Sequence, residues 1–273
     1  MHDISYIDPS LKKTLNKEIS IQISLNGFSF YIKDERSKEL AFRHYSFKGI
    51  FLTDELIRKT SEILDEDTTL HADFTQTQVI YVSQKSTLIP SDYFEPQSAK
   101  KAFEFNQTIE ELDEIHYTHL PFINSYNIYT IPNYLANELS KKFNNKVQFN
   151  HQGSKLLALS YKIHAKNPGL KLFVNINKGF FDFAIFSENN LKLYNSYQYV
   201  HQTDFIYFLL YACKELKLDA HNEKFVFMGE HSDNDVLFTE VQKYLGEIIM
   251  LNDIAGAEAT HGKMNYQQFY SLS

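Results

Sequence analysis

Polar side chains and glycines recur at two turns of the sequence, where their types suit contact with a ligand. The first turn reads Ser24-Leu25-Asn26-Gly27, and the second reads Asn175-Ile176-Asn177-Lys178-Gly179. Glycine lets a backbone approach a ligand closely, and hydroxyl and amide groups can hydrogen-bond to it. Neither turn contains an acid, so neither supplies the negative charge that favours Mg²⁺. Such neutral polar groups suit an uncharged ligand better than a polyphosphate.

Two further segments could complete a site. His151 could act as a general base, because its unperturbed pKa lies near neutrality, and the alternative is a hydrogen-bonded loop histidine. Gly229 and Glu230 directly follow a run of apolar residues that predicts a buried strand. We predict neither a catalytic residue nor a metal ligand among the candidates. The candidate ligand-binding residues are Ser24, Asn26, Gly27, His151, Asn175, Asn177, Gly179, Gly229 and Glu230.

The elements around the first turn follow from hydrophobic periodicity. Alternating apolar and polar residues predict a hairpin of two strands, and a third alternating stretch predicts a third antiparallel strand. A helix capped by Thr53 and a buried strand come next. The predicted elements are strands over 19–25, 28–32 and 39–47, a helix over 54–65 and a strand over 78–82.

The same order returns around the second turn. We therefore predict a repeated α/β unit and align Ile23-Ser24-Leu25-Asn26 with Val174-Asn175-Ile176-Asn177. Asp233 or Asn234 is expected to cap the second helix of this copy. The predicted elements are strands over 170–176, 180–186 and 191–199, a helix over 203–218, a strand over 225–228, a helix ending at 245 and a strand over 247–251.

The segment between the copies predicts a domain boundary. A strand and helix insertion is expected around 84–132, followed by a helix over 134–143 capped by Asn133, a strand over 146–149 and a helix over 154–165. Asn167-Pro168-Gly169 ends that helix. The sequence thus predicts a first domain over 1–168 and a smaller second domain over 169–273.

Two units of three antiparallel strands, each followed by alternating helices and parallel strands, resemble the ribonuclease-H-like duplication of the actin, Hsp70 and sugar-kinase superfamily. The whole chain also resembles a small uncharacterised bacterial family with an actin-like ATPase fold. The resemblance implies an α/β protein of duplicated ribonuclease-H-like units, with two domains and a central cleft lined by the candidate residues.

The superfamily's nucleotide motifs are incomplete in this chain. An Asp-x-Gly pattern typically occupies the first hairpin of each domain, where this chain has Ser24 and Asn175. A Glu-Pro-x-Ala-Ala connector corresponds to the segment 149–156, which lacks the acid that would orient water. The adenosine element, often ending in Gly-Gly, corresponds to 227–232 and retains only Gly229. ATP and Mg²⁺ are therefore disfavoured as cofactors.

These departures favour a non-catalytic protein-interaction or scaffold protein that binds a protein partner or self-associates. The alternative is an ATP-binding phosphotransferase or ATPase of the same superfamily that uses non-standard residues such as Glu230, Asp182 or His151. A third possibility is a neutral small molecule bound by the polar turns.

Composition and the absence of known motifs argue against several other functional classes of protein. The formal charge of -7 disfavours nucleic-acid binding, which draws on clustered Lys and Arg. No phosphate-binding loop of Walker type, dinucleotide fingerprint or nucleophile elbow occurs. We expect a cytoplasmic protein without a membrane span, because no signal peptide or long apolar stretch is present.

Other reactive side chains have structural interpretations. Cys213 lies in an apolar run and is expected to be a buried thiol. His116 and His119 lie three apart on a predicted strand, where alternation sends them to opposite faces, which disfavours zinc binding. The acids at 110–114 are adjacent in sequence and are expected to be solvated rather than catalytic.

Overall fold

Two units form the protein, and a computed structural model describes residues 4–49, 52–144, 146–230, 236–255 and 264–272. The first unit comprises Met1–Lys155 with Ser271–Ser273, and the second comprises Leu156–Tyr270. This division falls within a helix, whereas the sequence predicts a boundary after Pro168. The boundary at 168 stays a prediction.

Alternating residues build the first unit as the sequence predicts. Its strands are β1 (Ile4–Ile7), β2 (Lys17–Ser24), β3 (Gly27–Asp34), β4 (Glu39–Ser46), β5 (Gln76–Tyr81), β6 (Ser86–Pro90), β7 (Asp113–Leu120), β8 (Ser125–Pro132) and β9 (Val147–His151). Its helices are α1 (Thr53–Glu66), α2 (Ala99–Glu104), α3 (Asn133–Lys142) and the start of α4 (Gln152–Lys166). The short strands β1 and β6 have no counterpart among the predicted elements.

Two sheets organise these strands. A six-stranded sheet has the order β1-β4-β3-β2-β5-β9, and a three-stranded sheet has the order β6-β8-β7. The smaller sheet lies within the segment where the sequence predicts an insertion, and Phe103 of α2 packs on Ile128 of β8. In the larger sheet, alternate residues of β2 such as Ile21 pack with Leu56 of α1 in a buried core.

The second unit repeats this plan in fewer residues. Its strands are β10 (Leu172–Asn177), β11 (Phe180–Ser187), β12 (Asn190–Gln198), β13 (Lys224–Gly229) and β14 (Glu247–Met250). Its helices after α4 are α5 (Gln202–Glu215), α6 (Val236–Val241), α7 (Leu251–Ala255) and α8 (Tyr266–Phe269). Val174 of β10 packs with Phe205 of α5 in its core.

The order of strands is the same in both units. The five-stranded sheet runs β12-β11-β10-β13-β14, and the corresponding strands of the first unit run β4-β3-β2-β5-β9. In each case an antiparallel three-strand sheet continues into two parallel strands. Parallel pairing requires a crossover, which α1 and α5 provide.

The first turn differs from its prediction in one respect. The closing pair of the hairpin is Ser24 with Gly27, so the turn residues are Leu25 and Asn26 rather than Asn26 and Gly27. Gly27 is instead required because a Cβ atom there would lie 2.6 Å from the Tyr45 carbonyl oxygen of the next strand. The glycine therefore permits close strand packing.

The predicted helix caps are wrong at two positions. Thr53 and Asn133 are the first residues of α1 and α3, and the preceding Leu52 and Pro132 stand at the cap positions without a side-chain cap bond. The predicted caps Asp233 and Asn234 lie outside the described residues. In the described part of the chain, no helix has both the length and the apolar character needed to cross a bilayer.

Cys213 lies in α5 and is buried in the core of the second unit. Burial, assisted by the nearby charge of Glu223, raises the pKa of this thiol to about 12. Because the thiolate is the reactive form, we expect Ellman's reagent at pH 8 to react at least about 100-fold more slowly with the native protein than with the protein unfolded in guanidinium. Equal rates in the two states would contradict the burial of this side chain.

Candidate functional site

Ser24 uses its hydroxyl group to close the first turn. Its Oγ donates to the Gly27 carbonyl oxygen at 3.3 Å and accepts the Asn26 N–H at 3.1 Å. The Asn26 carbonyl oxygen in turn accepts the Phe47 N–H at 2.6 Å. The polar groups of this turn therefore hold the hairpin and the end of β4 together.

Backbone pairing shows which residues of the two units correspond. The Ile23 carbonyl oxygen accepts the Val82 N–H at 2.9 Å, and the Ile176 carbonyl oxygen accepts the Glu230 N–H at 2.8 Å. Ile23 and Ile176 thus hold the same place in their sheets. Ser24 consequently corresponds to Asn177, and the predicted alignment of Ser24 with Asn175 is displaced by two residues.

A row of three polar side chains crosses β2, β3 and β4 in the first unit. Gln22 pairs with Ser29, and Ser29 pairs with His44. Ser29 Oγ lies 2.8 Å from His44 Nδ1, and Ser46 Oγ lies 3.0 Å from His44 Nε2. Ser271 Oγ donates to Gln22 Oε1. This row contains no carboxylate.

The corresponding row in the second unit does contain one. Asn175 pairs with Asp182, and Asp182 pairs with Ser196. The Asp182 side chain is fully buried. Its Oδ2 accepts from Asn175 Nδ2 at 2.9 Å and from Asn177 Nδ2 at 3.4 Å, while its Oδ1 accepts from Ser196 Oγ and, at 3.5 Å, from Tyr194 Oη. The structure therefore brings Asn175 and Asn177 together around a single acid.

Gln22, Ser29, His44 and Ser196 were not among the residues that sequence reasoning selected. Alternation alone places Gln22 on the face of β2 opposite Ile21 and Ile23, so the signal was available on each strand. The pairing of strands that makes these residues neighbours required the register, which periodicity does not supply.

His151 is held by hydrogen bonds at both ring nitrogens. Nδ1 accepts the Gly153 N–H at 3.1 Å, and Nε2 donates to the Ser83 carbonyl oxygen at 3.0 Å. Burial lowers the pKa of this imidazole to about 3, and the bond to Ser83 opposes that shift only in part. The ring is therefore a neutral donor and acceptor whose positions are already used by the backbone.

Gly229 and Glu230 lie where β13 meets β10. Gly229 has φ +93°, and a Cβ atom there would lie 2.2 Å from the Ile176 carbonyl oxygen and 2.8 Å from Asn175 Oδ1. Glu230 is half-buried, and its Oε1 accepts from Gln268 Nε2 at 3.5 Å. By contrast, Gly179 has φ +82° in an open turn with no atom near its would-be Cβ.

The remaining reactive side chains stand apart from these rows. On β7, His116 pairs with Tyr129 and His119 pairs with Tyr126. Burial lowers the pKa of His116, opposed by the charge of Glu114. Of the acids at 110–114, Glu110 and Asp113 both form ion pairs with Lys85, and the Glu110 side chain is 69% exposed whereas that of Asp113 is only 10% exposed. Across the described ranges, no group of three or more His, Cys, Asp or Glu could hold a metal ion.

Comparison with known proteins identifies the fold. Residues 8–248 match a family described as "Protein of unknown function (DUF3822)". No curated protein matches the chain. A crystal structure of a Bacteroides thetaiotaomicron VPI-5482 protein with an actin-like ATPase fold and unknown function superposes with a TM-score of 0.80 at 21% identity, covering 93% of this chain and 98% of that one.

A second solved structure, the PilM-PilN type IV pilus biogenesis complex, superposes with a TM-score of 0.56 at 10% identity, covering 86% of this chain and 88% of that one. Both similarities are to proteins of the same fold. The predicted actin-like ATPase fold is therefore confirmed.

Two glycine substitutions separate the cost of a positive φ from the cost of close contact. We expect Gly179→Ala to lower the free energy of unfolding by about 1 kcal/mol, because only the backbone conformation is unfavourable. Gly229→Ala should lower it by about 3 kcal/mol or more, because the added methyl group also collides with backbone at Ile176. Urea unfolding curves measure both values, and equal losses would contradict the close approach.

Acidification should destabilise the protein through His151. Its pKa is about 3 when folded against an ordinary 6.5, so the unfolded chain binds the additional proton. The stabilisation is complete above pH 6.5 and is lost as the pH falls towards 3, at up to about 1.4 kcal/mol per pH unit. His151→Gln should remove this contribution to the slope of unfolding free energy against pH. His116 titrates in both proteins, so it cancels, and identical slopes would contradict the assignment.

Proposed function

We propose that the chain, which belongs to the DUF3822 family of proteins of unknown function, is a non-catalytic protein-interaction protein with an actin-like ATPase fold. The observation that carries this proposal is the state of Asp182. It is the one carboxylate in the two polar rows, it is fully buried, and both of its oxygens accept hydrogen bonds from neighbouring side chains.

A magnesium nucleotide does not fit the residues present. An acid that serves Mg²⁺ must direct an oxygen at the metal or at its water. The Asp182 oxygens face Asn175 and Ser196 instead, and the donors of these side chains would have to turn away before a cation could bind. Asp182 therefore supports a structural role, in which one sheet face is held by charge-assisted hydrogen bonds.

The first unit supports the same interpretation. Its corresponding row ends in Ser29 and His44, which hydrogen-bond to each other. His151, which stands where the superfamily carries an acid, has both nitrogens bonded to backbone groups. A general base needs a free acceptor within reach of the proton that it removes.

Exposed and partly exposed aromatic side chains support binding of a protein partner. Around the three-stranded sheet, the Phe94 ring stacks on Tyr126 with centroids 3.9 Å apart and lies 4.9 Å from Tyr117. Tyr93 and Phe105 are 80% and 88% exposed. Aromatic residues are enriched at protein interfaces, where they supply large contact areas. PilM, a protein of the same fold, was solved in a complex with PilN.

The second candidate function is an ATPase or phosphotransferase with non-standard residues. Glu230 favours it, since this carboxylate is only half-buried and follows β13 at the carboxyl end of a parallel strand, where α/β proteins commonly bind ligands. On this alternative, Glu230 and Asp182 would supply the negative charge for Mg²⁺.

Calorimetric titration with ATP and Mg²⁺, together with a phosphate-release assay, distinguishes the two functions. We expect no turnover above the rate of the buffer. Turnover that Glu230→Gln or Asp182→Asn abolishes while circular dichroism stays unchanged would establish the second function. Turnover that survives both substitutions would also contradict the proposal, unless further purification separates it from the protein and so identifies a contaminating ATPase.

A further inference from the structure

The carboxyl ends of β13 and β14 form a position where open α/β sheets bind ligands. Pairing of the two strands ends with Phe227 opposite Met250, and α7 begins at the next residue. Beyond this pair, the Phe227 carbonyl oxygen and the Asn252 N–H could continue the ladder only through a group that both donates and accepts.

Gln267 supplies that group. Its Nε2 donates to the Phe227 carbonyl oxygen at 2.7 Å, and its Oε1 accepts the Asn252 N–H at 3.1 Å. The side chain is 3% exposed. One carboxamide thus bridges the two strands as an additional rung, and both of its hydrogen-bonding ends are used.

The residues on either side of Gln267, from 264 to 270, also pack against the second unit. Gln268 contacts Glu230 at the end of β13, and Met264 and Phe269 are buried. Tyr270 is also buried, and burial together with the nearby Asp182 charge raises its pKa well above the ordinary value. Residues 264–270 therefore fill the carboxyl end of the sheet with side chains of the protein's own second unit.

We infer that residues 264–270 act as an internal ligand of the second unit, anchored by the Gln267 carboxamide between Phe227 and Asn252. The position that the anchor fills suits a primary carboxamide, since a carboxylate lacks the donor and an apolar group lacks both the donor and the acceptor. Entry of any other ligand requires this segment to leave. The inference holds whether or not the protein turns over ATP.

Two adjacent glutamines provide a matched test by hydrogen exchange. Gln267→Ala removes both backbone bonds, whereas Gln268→Ala removes one long contact to a half-buried acid. We expect Gln267→Ala to accelerate exchange at the amides of Asn252, Phe269 and Tyr270 together by about 10- to 100-fold, with β10 and β11 unchanged. Gln268→Ala should change the same amides by less than about threefold.

Propionamide tests the chemistry of the anchor, since it carries the same carboxamide. At concentrations of several hundred millimolar it should restore part of the lost protection in Gln267→Ala and leave the unmodified protein and Gln268→Ala unchanged. Propionate, which lacks the donor, should restore none.

Three results would overturn the inference. One is exchange of residues 264–270 in the unmodified protein at the rate of an unfolded chain. Another is a Gln267→Ala variant whose exchange matches that of Gln268→Ala. The third is equal protection of all three proteins by propionamide. If Gln267→Ala does not fold, Gln267→Glu replaces it in the comparison. A carboxylate there keeps the acceptor for the Asn252 N–H but cannot donate to the Phe227 carbonyl oxygen. Residues 264–270 should therefore still lose protection, and propionate should not restore it.

Discussion

Ile176 lies at the point where the first and fourth strands of the second unit meet, and its carbonyl oxygen accepts the N–H of Glu230. This contact fixes the parallel register of β10 against β13 and forces a glycine at position 229. The separate antiparallel pairings of β10 with β11 and of β11 with β12 place Asn175 opposite Asp182, and Asp182 opposite Ser196. A Cβ atom at position 229 would also lie 2.8 Å from Asn175 Oδ1, so the glycine leaves room for the amide that donates to Asp182.

The two units show how one sheet plan supports different polar rows. Strand order and pairing are the same, but the central position of the row is Ser29 in one unit and Asp182 in the other. A buried carboxylate requires several donors, and Asn175 and Ser196 provide them. A buried serine requires only one partner, which His44 provides. The chemistry of each row is thus satisfied within its own sheet.

Much of the fold could be predicted from the sequence, because strands such as β2 and β12 alternate apolar and polar residues, and the turns after β2 and β10 contain Asn and Gly. The strand β6 and the edge strand β1 are short and lack that contrast, which explains why they were missed. The predicted caps at Thr53 and Asn133 were each one residue late, since helix ends are set by backbone geometry as well as by residue type.

Less of the candidate site than of the fold could be predicted from the sequence. Asn175, Asn177 and Gly229 do lie together, but the predicted alignment of the two turns is displaced by two residues, because apolar residues recur every second position in either register. Gln267 carried no signal at all. Its importance arises from the end of the β13 and β14 pairing, a contact across 40 residues of sequence that no local pattern encodes.

The hydrogen bond from Ser271 to Gln22 joins residues 249 positions apart. A ribosome therefore makes β2 long before it makes the hydroxyl group that Gln22 binds, with an interval of roughly tens of seconds at ordinary rates of synthesis. During that interval the strands of the first sheet can form, but Gln22 Oε1 lacks the hydrogen bond from Ser271. The first unit therefore gains this hydrogen bond only after the chain has been synthesised through residue 271.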